Sequence, residues 1–94
     1  AGEFGRTPRV NGAAGRDHWH LTNAIGFSGA GVRMGTIVGQ TDAKCERVVG
    51  HEHSTLDYAA TIFSLMGIDD TKEYTSNDGR PIQINNGGRA IDEV

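Results

Sequence analysis

Only one cysteine occurs in the chain, so no intramolecular disulfide can form and no paired-cysteine metal knuckle exists. That residue, Cys45, lies in the polar stretch Asp42-Ala43-Lys44-Cys45-Glu46-Arg47, and it reads as a loop thiol rather than an activated nucleophile. No apolar run approaches the roughly 20 residues needed to cross a bilayer, and no export leader is visible, so these residues alone do not name a compartment. Positive charge is also scarce and scattered: the net charge is −3, with Lys and Arg nowhere clustered. A nucleic acid or an anionic membrane needs a basic footprint, and both are therefore excluded as partners. At 94 residues the chain is too short for a large enzyme core, and its 14 glycines raise the backbone entropy lost on folding, so loops must occupy much of it. It has no initiator methionine and opens inside a motif, so the expectation is one partial domain over residues 1–94, cut from a larger protein.

What is present is organised around glycine punctuation. From Ala1 to His20 the chain is polar and glycine-rich, broken by Pro8 and Asn11-Gly12, and reads as a site-forming loop without regular structure. The segment Ala24-Ile25-Gly26-Phe27-Ser28, closed by Gly29-Ala30-Gly31, predicts a strand ending in a tight turn, and Thr36-Ile37-Val38 predicts a second. Val48-Val49 suggests a brief third. The clearest element is a helix over about 55–66: Ser54-Thr55-Leu56-Asp57 is a capping box, apolar residues follow at helical spacing, and Gly67 suits the left-handed closing position. Leu56, Ala59, Ala60, Ile62, Phe63 and Met66 mark its core face. Beyond a polar, turn-like stretch, Pro81-Ile82-Gln83-Ile84 alternates as a strand with proline first, and Asn85-Asn86-Gly87-Gly88 makes a turn.

Two groups of side chains could carry chemistry. Glu3 and Arg6, then Arg16-Asp17-His18 after a glycine-rich connection, combine carboxylates, an imidazole and two guanidinium forks. Carboxylate and imidazole suit a divalent metal, and the forks suit sulfate or phosphate oxygens. The same residues also suit a solvated polar loop in which His18 or Trp19 packs locally. The second group, His51-Glu52-His53, offers two imidazoles where a structural zinc needs about four ligands, and it reads better as exposed polar residues before a helix cap.

Taken in order, the motifs resemble a known family. They are Gly2-Glu3-Phe4-Gly5-Arg6-Thr7-Pro8, Gly15-Arg16-Asp17-His18-Trp19, Gly29-Ala30-Gly31-Val32 with Gly35, Gly39-Gln40-Thr41-Asp42, Asp57 through Ala60-Thr61-Ile62 to Gly67-Ile68-Asp69, and Asp78-Gly79-Arg80-Pro81-Ile82. Across essentially the whole chain they are similar to domain-of-unknown-function family 1501, whose proteins are sulfatase-like and fall in the alkaline phosphatase superfamily. The resemblance implies an α/β fold, here its C-terminal fragment of short strands plus one main helix. It further implies part of a metal-dependent sulfate- or phosphate-ester hydrolase that is inactive alone, since the superfamily's nucleophile lies upstream of the matching region. Glu3 then looks like the strand-end carboxylate ligand, His18 like the later histidine ligand, and Asp17 like a further ligand or the group orienting His18. Arg6 and Arg16 would hold the anionic ester. The cofactor would be a divalent ion (zinc, calcium, magnesium or manganese), and the compartment periplasmic or extracellular. Phe4 stands where the superfamily tends to carry a histidine ligand, so one imidazole of a two-metal centre is missing. The competing expectation is a non-catalytic structural or binding module of the same fold. Strands and an apolar helix face left without neighbours predict self-association, most simply as a two-fold dimer.

Overall fold

A computed structural model describes residues 1–94 and shows a mixed α/β chain: one helix and three small antiparallel sheets of two strands each. The chain forms two compact units, one of residues 1–27 and 37–52, the other of residues 28–36 and 53–94.

The first unit holds two of the sheets. Strands β1 (Gly5–Arg6) and β2 (His18–Trp19) pair with Gly5 opposite Trp19 and Arg6 opposite His18. Thr7 carries this pairing outward, its N–H donating to the Asp17 carbonyl at 3.0 Å while its hydroxyl accepts from the Asp17 N–H at 3.1 Å. The connecting loop is organised by Asn11, whose side-chain oxygen accepts from the N–H groups of Ala13 and Gly15, both at 3.0 Å, in an Asx turn. Strands β3 (Gln40–Thr41) and β4 (Val48–Gly50) pair across an irregular register. Their connection is shaped by Asp42, whose carboxylate accepts from the Glu46 N–H at 2.8 Å. Trp19 ties the two sheets together by donating its indole N–H to the Glu46 carbonyl at 2.9 Å.

In the second unit the helix α1 (Thr55–Leu65) forms as its local signals require. Ser54 accepts from the Asp57 N–H, and Asp57 reaches back to the Ser54 N–H at 2.7 Å, completing the capping box. At the other end Gly67 sits at φ 73°, the Ile68 N–H donates to the Phe63 carbonyl and the Gly67 N–H to that of Ser64. These paired bonds are a Schellman closure. Strands β5 (Glu73–Thr75) and β6 (Pro81–Gln83) form an exposed hairpin with Tyr74 opposite Ile82. Proline stands at the first position of β6, where a missing N–H does least harm.

Only Ala60 and Thr61 of the helix are buried, at 0% and 2% exposure, and they lie under a strap running from Gly88 to Ile91. The Thr61 hydroxyl donates to the Asp57 carbonyl at 2.7 Å and accepts from the Ile91 N–H at 2.9 Å. Valine keeps the shape of threonine but leaves that strap N–H without its acceptor. Thr61→Val is therefore expected to cost about 1–3 kcal/mol, read as a lowered denaturant midpoint of the helix circular dichroism signal.

Four expectations from the sequence differ from the fold. Ala24 to Ser28 and Thr36 to Val38 form no strand, and Ile37 is 92% exposed. Both segments carry strand-like residues, but a strand exists only against a partner, and none pairs with them. The ladder begins instead at Gln40, after Gly39 turns the chain at φ 79°. Conversely, the loop expected before His20 contains the short β1–β2 pairing. On the helix, Leu56 and Met66 of the expected core face are 41% and 67% exposed, so that face is covered only in part.

Candidate functional site

The β1–β2 pairing gathers most of the residues singled out as chemical. Cross-strand register sets Arg6 against His18, and alternation along a strand brings Phe4 to the same side. The Phe4 and His18 rings meet at 3.8 Å between centroids, tilted by 33°, while the Arg6 guanidinium stands 5.4 Å over the Phe4 ring. Arg6, Phe4 and His18 thus form one stack in which the imidazole is packed against carbon. The carboxylate of Glu3 belongs to the bend before β1; the ring that contacts His18 comes from its neighbour Phe4.

The other two residues are built into the loop. Arg16 uses both hydrogens of Nη1 on the carbonyls of Thr7 and Pro8, at 2.9 and 2.8 Å, and its own carbonyl accepts from Arg6 Nη1 at 3.1 Å. Its Nε and Nη2 hydrogens lie outside those bonds and are the part of the fork that an anion could use. Asp17 accepts from the Asn11 amide at 2.9 Å. No three His, Cys, Asp or Glu side chains converge as a metal-holding group. Glu3, Asp17 and His18 therefore supply donor chemistry on one short pairing, yet they do not make a complete ligand set by themselves.

Beside the stack, an open cleft of about 270 Å³ is lined by Thr7, Pro8, Arg9, Val10, Asn11, Asp17, Trp19 and Glu46. Asp17 is the only one of the expected site residues that faces it. The Arg9–Glu46 ion pair at its rim spans 3.9 Å with Arg9 90% exposed, and contributes little. Cys45 is an exposed loop thiol, held at φ 56°, in keeping with its polar sequence neighbourhood. His51 and His53 are both exposed.

Residues 1–94 match the model of a family described as a protein of unknown function, DUF1501. The chain belongs to this family. The DUF1501 match spans both compact units and every motif that carried the resemblance. No curated protein and no solved structure matches the chain.

Sequence reasoning overlooked the structural weight of Asn11, Trp19 and Asp57. Asp57 is legible as a helix cap, but its second oxygen also accepts the Arg89 N–H at 2.8 Å, a contact 32 residues away. That bond, followed by those from the Ser54 N–H and hydroxyl and by the nearby His53 charge, pulls the Asp57 carboxyl down from 3.8 to about 2. Asp69, bonded first by the Thr71 hydroxyl, and Asp78, bonded first by the Ser76 hydroxyl and then by Arg80, are lowered as well. A carboxylate held below its unfolded value stabilises the fold above that value and loses this contribution as pH falls toward the folded value. Helix content is therefore expected to decline between roughly pH 4 and pH 2, and Asp57→Asn is expected to remove part of that dependence while Asp69 and Asp78 retain theirs. A circular dichroism titration of the two proteins measures the difference.

Proposed function

We propose that the chain forms one wall of the site in a metal-dependent sulfate- or phosphate-ester hydrolase of sulfatase-like type, within an alkaline phosphatase-like fold. The observation that supports this reading is the cross-strand pairing of Arg6 with His18, which brings a guanidinium and an imidazole onto one short pairing where both meet the Phe4 ring, with Asp17 next along the chain and Glu3 shortly before β1. His18, Asp17 and Glu3 would hold part of a divalent metal's shell (zinc, calcium, magnesium or manganese), the remaining donors coming from outside these residues. Such an ion, when bound, polarises an ester oxygen. Arg6 and the outer edge of Arg16 bind and orient the small anionic ester, because a planar fork matches sulfate and phosphate oxygens. The nucleophile lies outside the chain, which alone turns over no aryl sulfate or phosphate. The compartment proposed with this reading is periplasmic or extracellular, and a second copy of the chain is the proposed protein partner.

A second reading, a non-catalytic binding or structural module, draws on different contacts: the His18 ring packs on Phe4, and Arg16 Nη1 serves backbone carbonyls. Calorimetric titration with zinc and manganese separates the two. On the first reading the wild-type chain binds a divalent ion, and Glu3→Ala/His18→Ala abolishes that binding while helix circular dichroism is retained. A double variant that is merely less stable, with no ion bound by either protein, supports the module and overturns the metal-site proposal.

A further inference from the structure

The chain contains two Asn-Gly pairs, Asn11-Gly12 and Asn86-Gly87, and the fold treats them oppositely. This dipeptide is the one most open to spontaneous chemistry, since glycine has no side chain to hinder its amide nitrogen from approaching the asparagine amide. Asn11 is immobilised on every side. Its Oδ1 accepts from Ala13 and Gly15, its Nδ2 donates to Asp17, its N–H donates to the Gly15 carbonyl at 2.7 Å and its carbonyl accepts from Ala14 at 3.1 Å. Asn86 is exposed, sits in the turn after β6 at φ 47°, and its side-chain amide makes no hydrogen bond. Gly87 follows at φ 88°, its N–H held only by Asn85 Oδ1 at 3.2 Å. The related pair Asp78-Gly79 is restrained, because its carboxylate is bonded by the Ser76 hydroxyl and by Arg80 Nε.

The geometry points to Asn86 as a site of self-catalysed deamidation and backbone isomerisation, with Asn11 protected by its loop. The Gly87 nitrogen attacks Asn86 Cγ, forming a C–N bond, and the side-chain nitrogen leaves as ammonia with the proton given up by Gly87. Water then opens the resulting succinimide at either carbonyl, giving aspartate or isoaspartate. No oxidant or cofactor enters. The isoaspartate form lengthens the main chain by one carbon immediately before Gly87, one residue ahead of Gly88, where the strap closes on Leu56 and leads into the Arg89 and Ile91 bonds to the helix. Isomerisation at Asn86 thus loosens the strap in a way that the added charge alone does not.

The test is to hold the purified 94-residue chain at mildly alkaline pH, folded and in concentrated urea, and to follow both sites by peptide mapping with fragmentation that distinguishes isoaspartate. In the folded protein Asn86 is expected to convert at least about tenfold faster than Asn11, whose reaction requires several hydrogen bonds to break first, whereas in urea the two rates converge. Asn86→Gln removes the product at that site. The isolated isoaspartate form is expected to unfold at a lower denaturant midpoint than Asn86→Asp, which carries the charge without the longer backbone. Equal rates at the two sites in the folded chain, or faster conversion at Asn11, would overturn the assignment. An isoaspartate form as stable as Asn86→Asp would overturn the effect on the strap.

Discussion

Replacing Gly88 by alanine is expected to strip the helix of its cover. Gly88 is buried, and a Cβ placed on it would collide with the Leu56 carbonyl group, meeting the oxygen first, then the carbon at 2.5 Å and the Leu56 Cβ at 3.0 Å. Two of these three atoms are backbone within the first turn of α1, and helical hydrogen bonding leaves them no room to move aside. The strap must move instead, which separates Arg89 from Asp57 and Ile91 from Thr61. Overpacking a site that cannot relax costs about 3 kcal/mol or more, a large part of the total stability of a chain this size. Gly79→Ala is the comparison: that residue lies at φ 82° in open space, so alanine there meets only backbone strain of about 1 kcal/mol. Denaturant melts followed by helix circular dichroism measure both, and equal midpoints would show that the wall around Gly88 yields.

The second large effect is expected at Gly5, in the middle of the candidate site. Alanine there would drive its Cβ into the Thr22 carbonyl oxygen, with the Thr22 carbon at 3.0 Å and the Trp19 carbonyl oxygen at 3.1 Å. Gly5 pairs directly with Trp19, so relief of the clash pulls β1 away from β2 and undoes the Arg6–His18 alignment. The expected loss is again about 3 kcal/mol, since every crowded atom is main chain. The chain has one tryptophan, Trp19, whose indole is fixed to the Glu46 carbonyl, so its fluorescence reports this pairing directly. Gly5→Ala is expected to shift that emission to the red in native buffer. An unshifted spectrum and an unchanged melt would mean that Thr22 gives way.

These glycines show where sequence reasoning stops. The helix was legible because its signals are local: Ser54 and Asp57 stand three residues apart, and Gly67 follows the last turn. The strand begun by Pro81 and the one at Val48 and Val49 carry signals of the same kind. Nothing local tells Gly5 and Gly88 from the other glycines, because what crowds them comes from Thr22 and Leu56. The strands expected at Ala24–Ser28 and Thr36–Val38 failed for the same reason, since composition describes a willing strand and not its partner. Within the candidate site, the residue types were legible and their engagements were not. The contacts of Arg16 with Thr7 and Pro8, and of His18 with Phe4, depend on a chain reversal centred on Asn11 that the Asn11-Gly12 pair only hinted at.

Asp57 joins two interactions of very different reach, one inside the first turn of the helix and one that closes a long loop. One carboxylate oxygen serves the Ser54 N–H, three residues away, and that bond forms while the helix nucleates. The other serves the Arg89 N–H, 32 residues away, and requires a loop of that length to close first. The local bond carries a much smaller loop-closure cost than the long-range one, so the strap contact is expected to be the later of the two to form. Contacts made after the folding barrier govern how fast the native state is lost and leave the speed of its formation almost untouched. The strap is expected to act as a latch, so weakening it with Thr61→Val should speed unfolding and leave the folding rate nearly unchanged, a split that stopped-flow kinetics would read.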